Sequence, residues 1–123
     1  MKFTSKIVMM IAALLSFATN RSYAAIKNPK TETLKVYGNC DMCKNRIEEA
    51  ANKKDLAKGD WNADTKMLTL TYDSEKTSAA EVMKRVAYAG YDNALFLAPD
   101  AAYAKLPGCC QYERQHADAA LSN

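Results

Sequence analysis

The stretch Tyr37-Gly38-Asn39-Cys40-Asp41-Met42-Cys43 decides how the rest of the chain is read. A short β-like run, Thr33-Leu34-Lys35-Val36, precedes it, and an amphipathic helical pattern follows. Residues three apart share a helix face, and a loop feeding a helix start can likewise bring two thiols to one point. A helix N-terminus carries partial positive charge and free N–H groups, which favour thiolate over thiol. Two converging thiolates at a chain surface make either a soft-metal clip or a redox pair. A clip that hands its ion onward must also be open to solvent.

Working outward, Thr31 to Tyr37 is the first predicted strand, with Leu34 and Val36 alternating against Thr33 and Lys35. Ala25 to Lys30 is a polar lead, expected to be loose. Gly38 ends the strand, and Asn39 or Asp41 is placed to cap the next helix. Cys43, Ile47, Ala50 and Ala51 form an apolar stripe at helical spacing, giving a first helix that ends near Lys53. Cys43 lies on that stripe, so the clip is anchored to a packed helix. Taken alone, Cys43 reads as a buried core thiol; Cys40 three residues earlier argues for chemistry instead.

Leu56 to Asn62 is a second predicted strand and Lys66 to Tyr72 a third, joined by the turn chemistry of Ala63-Asp64-Thr65. Leu68, Leu70 and Tyr72 share one face, Thr69 and Thr71 the other. Trp61 is read as sheet packing. Ser78-Ala79-Ala80-Glu81 matches a capping box and opens a second helix through Val82, Val86 and Ala89, which Gly90 stops. Asn93 to Leu97 is the fourth predicted strand. The order strand–helix–strand–strand–helix–strand predicts an α+β fold: a ferredoxin-like βαββαβ sandwich, its four-stranded antiparallel sheet carrying both helices on one face. A C-terminal tail with Cys109 and Cys110 follows, in which Ala101 to Leu106 is expected to form a short helix.

The start of the chain reads differently. Lys2 and Lys6 precede an apolar run from Ile7 to Leu15, and Ser22-Tyr23-Ala24 offers small residues for cleavage. Residues 1–24 are therefore read as a secretory signal peptide. The apolar run is well short of the ~20 residues that span a bilayer, so no stable membrane insertion of the mature chain is expected. The expected division is 1–24 signal, 25–98 metal-binding domain and 99–123 C-terminal extension. Lys and Arg total 17, of which Lys2, Lys6 and Arg21 fall in the leader, against 14 Asp and Glu. The mature chain is thus near neutral, without the basic stripe of a nucleic-acid binder. Its length of about 99 residues suits one small domain. Export implies an oxidising compartment, yet neither cysteine pair closes a loop long enough for useful stapling. His116, the only histidine, sits in a polar tail and reads as solvated.

These residues resemble the heavy-metal-associated domain family, that of copper chaperones and of the periplasmic mercury-binding protein. The resemblance covers about Thr31 to Leu97. It rests on Cys40 and Cys43 after the first strand, on Trp61-Asn62 through Leu68-Thr69-Leu70-Thr71-Tyr72-Asp73, and on Gly90-Tyr91 after the second helix. It implies metal ligation by Cys40 and Cys43, a place for Tyr91 close to the metal loop, and a periplasmic location. The family pattern Gly-Met-Thr-Cys-x-x-Cys is altered here: Gly38 stands where its Met would, and Tyr37 where its Gly would. Met42, between the cysteines, is a different position and reads as a surface side chain near the site rather than a thioether ligand.

Soft thiolates select Cu(I), Hg(II), Cd(II) or Zn(II) over hard cations, and Cu(I) is the leading candidate. Two cysteines suit a linear ion. Cys109 or Cys110 folding back would give three or four thiolates; alternatively the adjacent pair forms a vicinal disulfide or bridges to another chain. The predicted function is a soft-metal carrier, monomeric or a metal-bridged dimer, feeding a transporter or efflux partner and not an enzyme. The competing reading is a thiol–disulfide oxidoreductase using the same C-x-x-C. Against it, no Trp precedes Cys40, no Pro lies between the cysteines, and the strand order is not thioredoxin-like. The plainest alternative is a structural domain with two incidental disulfides.

Overall fold

A computed structural model of the chain describes residues 26–114. The expected signal peptide and His116 lie outside these residues. Three strands, β1 (Pro29–Lys35), β2 (Ala57–Trp61) and β3 (Met67–Asp73), form an antiparallel sheet in the order β1-β3-β2. Helices α1 (Asp41–Ala51) and α2 (Ala79–Tyr88) follow β1 and β3, and a short helix α3 (Asp100–Ala104) and a 3-10 turn (Gly108–Cys110) complete the chain. Strand β1 begins at Pro29, so the end of the expected loose lead is in the sheet. Helix α1 ends at Ala51, two residues short of expectation.

The period-2 pattern sets the inner face. The register stacks Leu34 beside Leu68 beside Trp61, and Tyr72 beside Ala57. Thr69, Lys58 and Asp60 point outward and are exposed. Cys43, Ile47 and Ala51 of α1 and Val82, Met83 and Val86 of α2 close over Trp61, Leu68, Leu70 and Tyr72 in one core. Trp61 is fully buried, and its indole N–H donates to the Val36 carbonyl at 2.9 Å, the packing role read from the sequence.

Polar side chains fix the helices to this sheet. Lys44 donates to Asp60 and to the Trp61 carbonyl, each at 2.7 Å. Glu48 accepts the Trp61 N–H at 2.9 Å, and Asn52 accepts the Gly59 N–H at 2.8 Å. These are the outward donors of β2, so α1 satisfies an edge that would otherwise invite another strand. Arg85 of α2 donates to the Ala50 and Ala51 carbonyls and caps the C-terminus of α1. Ser78 caps α2 by accepting the Glu81 N–H at 3.2 Å. The reciprocal half of the expected capping box is absent, because the Glu81 carboxylate takes the Thr77 hydroxyl at 2.8 Å.

The fourth strand does not form. Its place is taken by a single antiparallel bridge between Val36 and Asn93, with Tyr37 N–H donating to Asp92 and Ala94 N–H to Lys35 at 2.9 Å. Asn93 is the cause. Its buried side chain accepts the Leu95 and Phe96 N–H groups, donates to the Met83 carbonyl, and curls the chain into a turn. A short amide that can hydrogen-bond its own backbone competes successfully with a ladder. The sheet is therefore three-stranded, not four-stranded.

The tail is part of the core. Leu106, Cys110 and Tyr112 belong to the buried cluster. Gly90 has φ +114, a conformation open chiefly to glycine, and a Cβ there would lie 2.9 Å from Leu106. The Tyr112 hydroxyl accepts the Asp92 N–H at 2.7 Å and donates to the Gly90 carbonyl at 2.9 Å. The Asp92 carboxylate, 1% exposed, takes two bonds from Arg114 and the Ala98 N–H. Tyr112→Phe leaves a buried N–H and a buried carbonyl short of partners. It is expected to lower unfolding free energy by about 1–3 kcal/mol, read from the urea midpoint of the purified protein.

Candidate metal centre

The loop Val36 to Cys40 leads from the sheet into α1. Its tight path depends on Gly38: a Cβ there would stand 3.0 Å from the Trp61 ring and 3.2 Å from Ile47. Trp61 thus fills the room under the loop that a side chain at position 38 would need. Cys40 is the N-cap of α1, with extended backbone and no side-chain capping bond. The expected caps Asn39 and Asp41 do not act as such. Asn39 turns instead to the tail and donates to the Cys109 carbonyl at 3.2 Å, while Asp41 is the first helical residue. Leaving the helix N-terminus without a capping side chain places its partial positive charge beside the cysteines.

Sulfur atoms of Cys40, Cys43 and Cys110 lie within 4.8 Å of one another and could hold a metal ion. All four cysteines are free thiols, so the vicinal Cys109–Cys110 disulfide is not formed. The 3-10 turn sends the two tail cysteines in opposite directions. Cys110 points inward and is fully buried; Cys109 is exposed, its sulfur 3.4 Å from that of Met42. Met42, half exposed as expected for a surface side chain, sits at the rim. Tyr91 is fully buried, and its hydroxyl has no hydrogen-bond partner of normal geometry among the described residues.

The clip is not open in the way the sequence suggested. Cys40 is only partly exposed, and Cys43 is fully buried, with the Cys110 side chain against it. The apolar stripe of α1 already turns Cys43 inward, and the returning tail completes the cover. Solvent reaches the cluster at Cys40.

The two buried thiols ionise differently. Burial opposes ionisation of Cys43, but hydrogen bonds from the Cys110 thiol and from the backbone at Asn39 and Cys40 outweigh it and pull Cys43 down. Burial pushes Cys110 up to about 12, and the charge on neighbouring Cys43 adds to this. Of the pair, Cys43 is thus the readier to ionise and Cys110 the one that keeps its proton. Burial also pushes Tyr91 up, with Cys110 beside its hydroxyl contributing, so Tyr91 stays neutral and keeps a proton to donate.

The residues that hold the tail in place were not read from the sequence. Arg114, with Asp92 and Asp100, and Tyr112, stacked at 6.0 Å on Tyr91 and edge-on to Tyr103, carry that role. The signal available was the spacing of Tyr103, Leu106, Cys110 and Tyr112, apolar or aromatic positions in an otherwise polar tail.

Among curated proteins, the chain is 34% identical over 89 residues to the mercuric transport protein periplasmic component of Shewanella putrefaciens; the match covers 71% of this chain and 98% of that protein. The chain belongs to the heavy-metal-associated domain family. It is also 36% identical over 63 residues to a copper-exporting P-type ATPase of Staphylococcus saprophyticus subsp. saprophyticus, a match covering 50% of this chain and 8% of the ATPase. A solved CopZ metallochaperone aligns with 52% of this chain and 98% of its own at 29% identity, with a TM-score of 0.49. No family model matches the chain. The match to the Shewanella protein, over 89 residues, is longer than the expected stretch from Thr31 to Leu97.

Burial orders the thiols by reactivity. In the reduced native protein, iodoacetamide is expected to label Cys109 first and Cys40 next, with Cys43 and Cys110 protected until denaturant is added. Peptide mass spectrometry against time gives that order; early labelling of Cys110 would contradict the packed tail.

Proposed function

We propose that the protein captures a soft metal ion on Cys40 and Cys43 and passes it to a transporter or efflux partner in the periplasm. The observation that carries this reading is the cluster of thiols at the uncapped N-terminus of α1. Thiolates bind soft ions in preference to hard ones, so Cu(I) leads, with Hg(II), Zn(II) and Cd(II) in the same class. The relatives' names point the same way: one is a mercuric transport component of the periplasm and another a copper-exporting ATPase.

Transfer on this reading begins at Cys40, the member of the cluster that solvent reaches. An incoming partner thiolate attacks the ion on that side, and the bond to Cys40 is the first to exchange. Among the described residues no helix is long and apolar enough to cross a membrane.

Titration of the reduced protein with Cu(I) or Hg(II) against a competing chelator tests this. One ion per chain is expected, with binding lost in Cys40→Ser and in Cys43→Ser. Full affinity in either variant would end the carrier reading. Turnover of a disulfide substrate by the metal-free protein would favour the oxidoreductase instead.

A further inference from the structure

We infer that the metal site is a three-sulfur site, with Cys110 of the C-terminal tail as the third ligand beside Cys40 and Cys43. The inference rests on the metal-binding reading and specifies its coordination.

Four observations support it. The three sulfurs already lie within 4.8 Å of one another. With metal–sulfur bonds of about 2.3 Å, trigonal coordination needs sulfurs about 4.0 Å apart, so small side-chain rotations suffice. Cys110 comes from a segment about seventy residues away along the chain, and that segment is locked from both sides of the turn. Leu106 seats against Gly90 before it; Tyr112 bonds Asp92 and Gly90, and Arg114 bonds Asp92, after it. The loop reaches back through Asn39, which donates to the Cys109 carbonyl. Finally, the fully buried Tyr91 hydroxyl lies beside Cys110 without a partner. A buried donor left unsatisfied is costly. A metal-bound Cys110 thiolate supplies the acceptor it lacks.

The site therefore takes thiophilic ions that accept three sulfur donors, and each thiol that ligates releases its proton to solvent. Tyr91 is a positioning residue, donating to the sulfur of the third ligand. Cys109, adjacent in sequence but outside the cluster, is the internal control.

Hg(II) is the probe. One equivalent is added to the reduced protein and to Cys110→Ser, Cys110→Ala and Cys109→Ser. X-ray absorption then counts sulfur neighbours, and a competing thiol reports affinity. Wild type and Cys109→Ser are expected to show three sulfurs; both Cys110 variants should show two, with a shorter bond and at least about tenfold weaker binding, the low end of what even an outer-shell partner contributes. Alanine fits the buried slot if serine disturbs folding, which circular dichroism checks. Two sulfurs in wild type, or a Cys110 variant indistinguishable from it, overturns the inference and leaves the two-cysteine carrier standing. Absence of binding by every form overturns both.

Discussion

The Asp92 carboxylate organises the half of the molecule that matters for chemistry. It is buried, on the segment that leaves α2, where an unpaired charge would be strongly destabilising. Arg114 compensates it with two hydrogen bonds and the Ala98 N–H adds a third, while the Asp92 backbone N–H is taken by Tyr112. Satisfying one aspartate thus recruits both ends of the segment from Ala98 to Arg114. That segment contains the turn that carries Cys110, so the position of the third sulfur follows from the solvation of a charge rather than from any local preference of the Cys109-Cys110 pair.

The loop side is equally constrained. Gly38 admits the Trp61 ring, Trp61 donates to Val36, and Lys44 and Glu48 tie the first turns of α1 to the edge of β2. Cys40 and Cys43 are therefore presented by a helix that is clamped to the sheet at its N-terminal half and capped by Arg85 at its far end. Rigid presentation of this kind lowers the ordering cost of ligation. A bare helix N-terminus then leaves its positive end directed at the sulfurs instead of at a capping carboxylate.

Burial gives the three clustered thiols different tasks. Cys40 is the point of contact with solvent, Cys43 is the readier of the buried pair to ionise because hydrogen bonds outweigh its burial, and burial keeps the proton on Cys110. On the proposed reading, the anchored tail closes the cluster on one side and leaves Cys40 as the sulfur open to exchange.

The sequence by itself determined the elements whose signal is local. Alternation placed β1 and β3, a run before the Ala63-Asp64-Thr65 turn placed β2, the apolar stripe placed α1, Ser78 and Gly90 bounded α2, and the C-x-x-C pair fell at the start of α1. What it did not determine depends on contacts between distant residues. Asn93 to Leu97 has the composition of a strand, but the Asn93 amide finds the Met83 carbonyl and its own following backbone, and the strand becomes a turn. Cys109 and Cys110 are equivalent in the sequence; only the packing of Leu106, Tyr112 and Arg114 around Gly90 and Asp92 turns one sulfur inward and leaves the other outside. The exposure of Cys43 was likewise decided by a segment some seventy residues away, because burial is a property of what folds over a residue and periodicity reports only the face on which it stands.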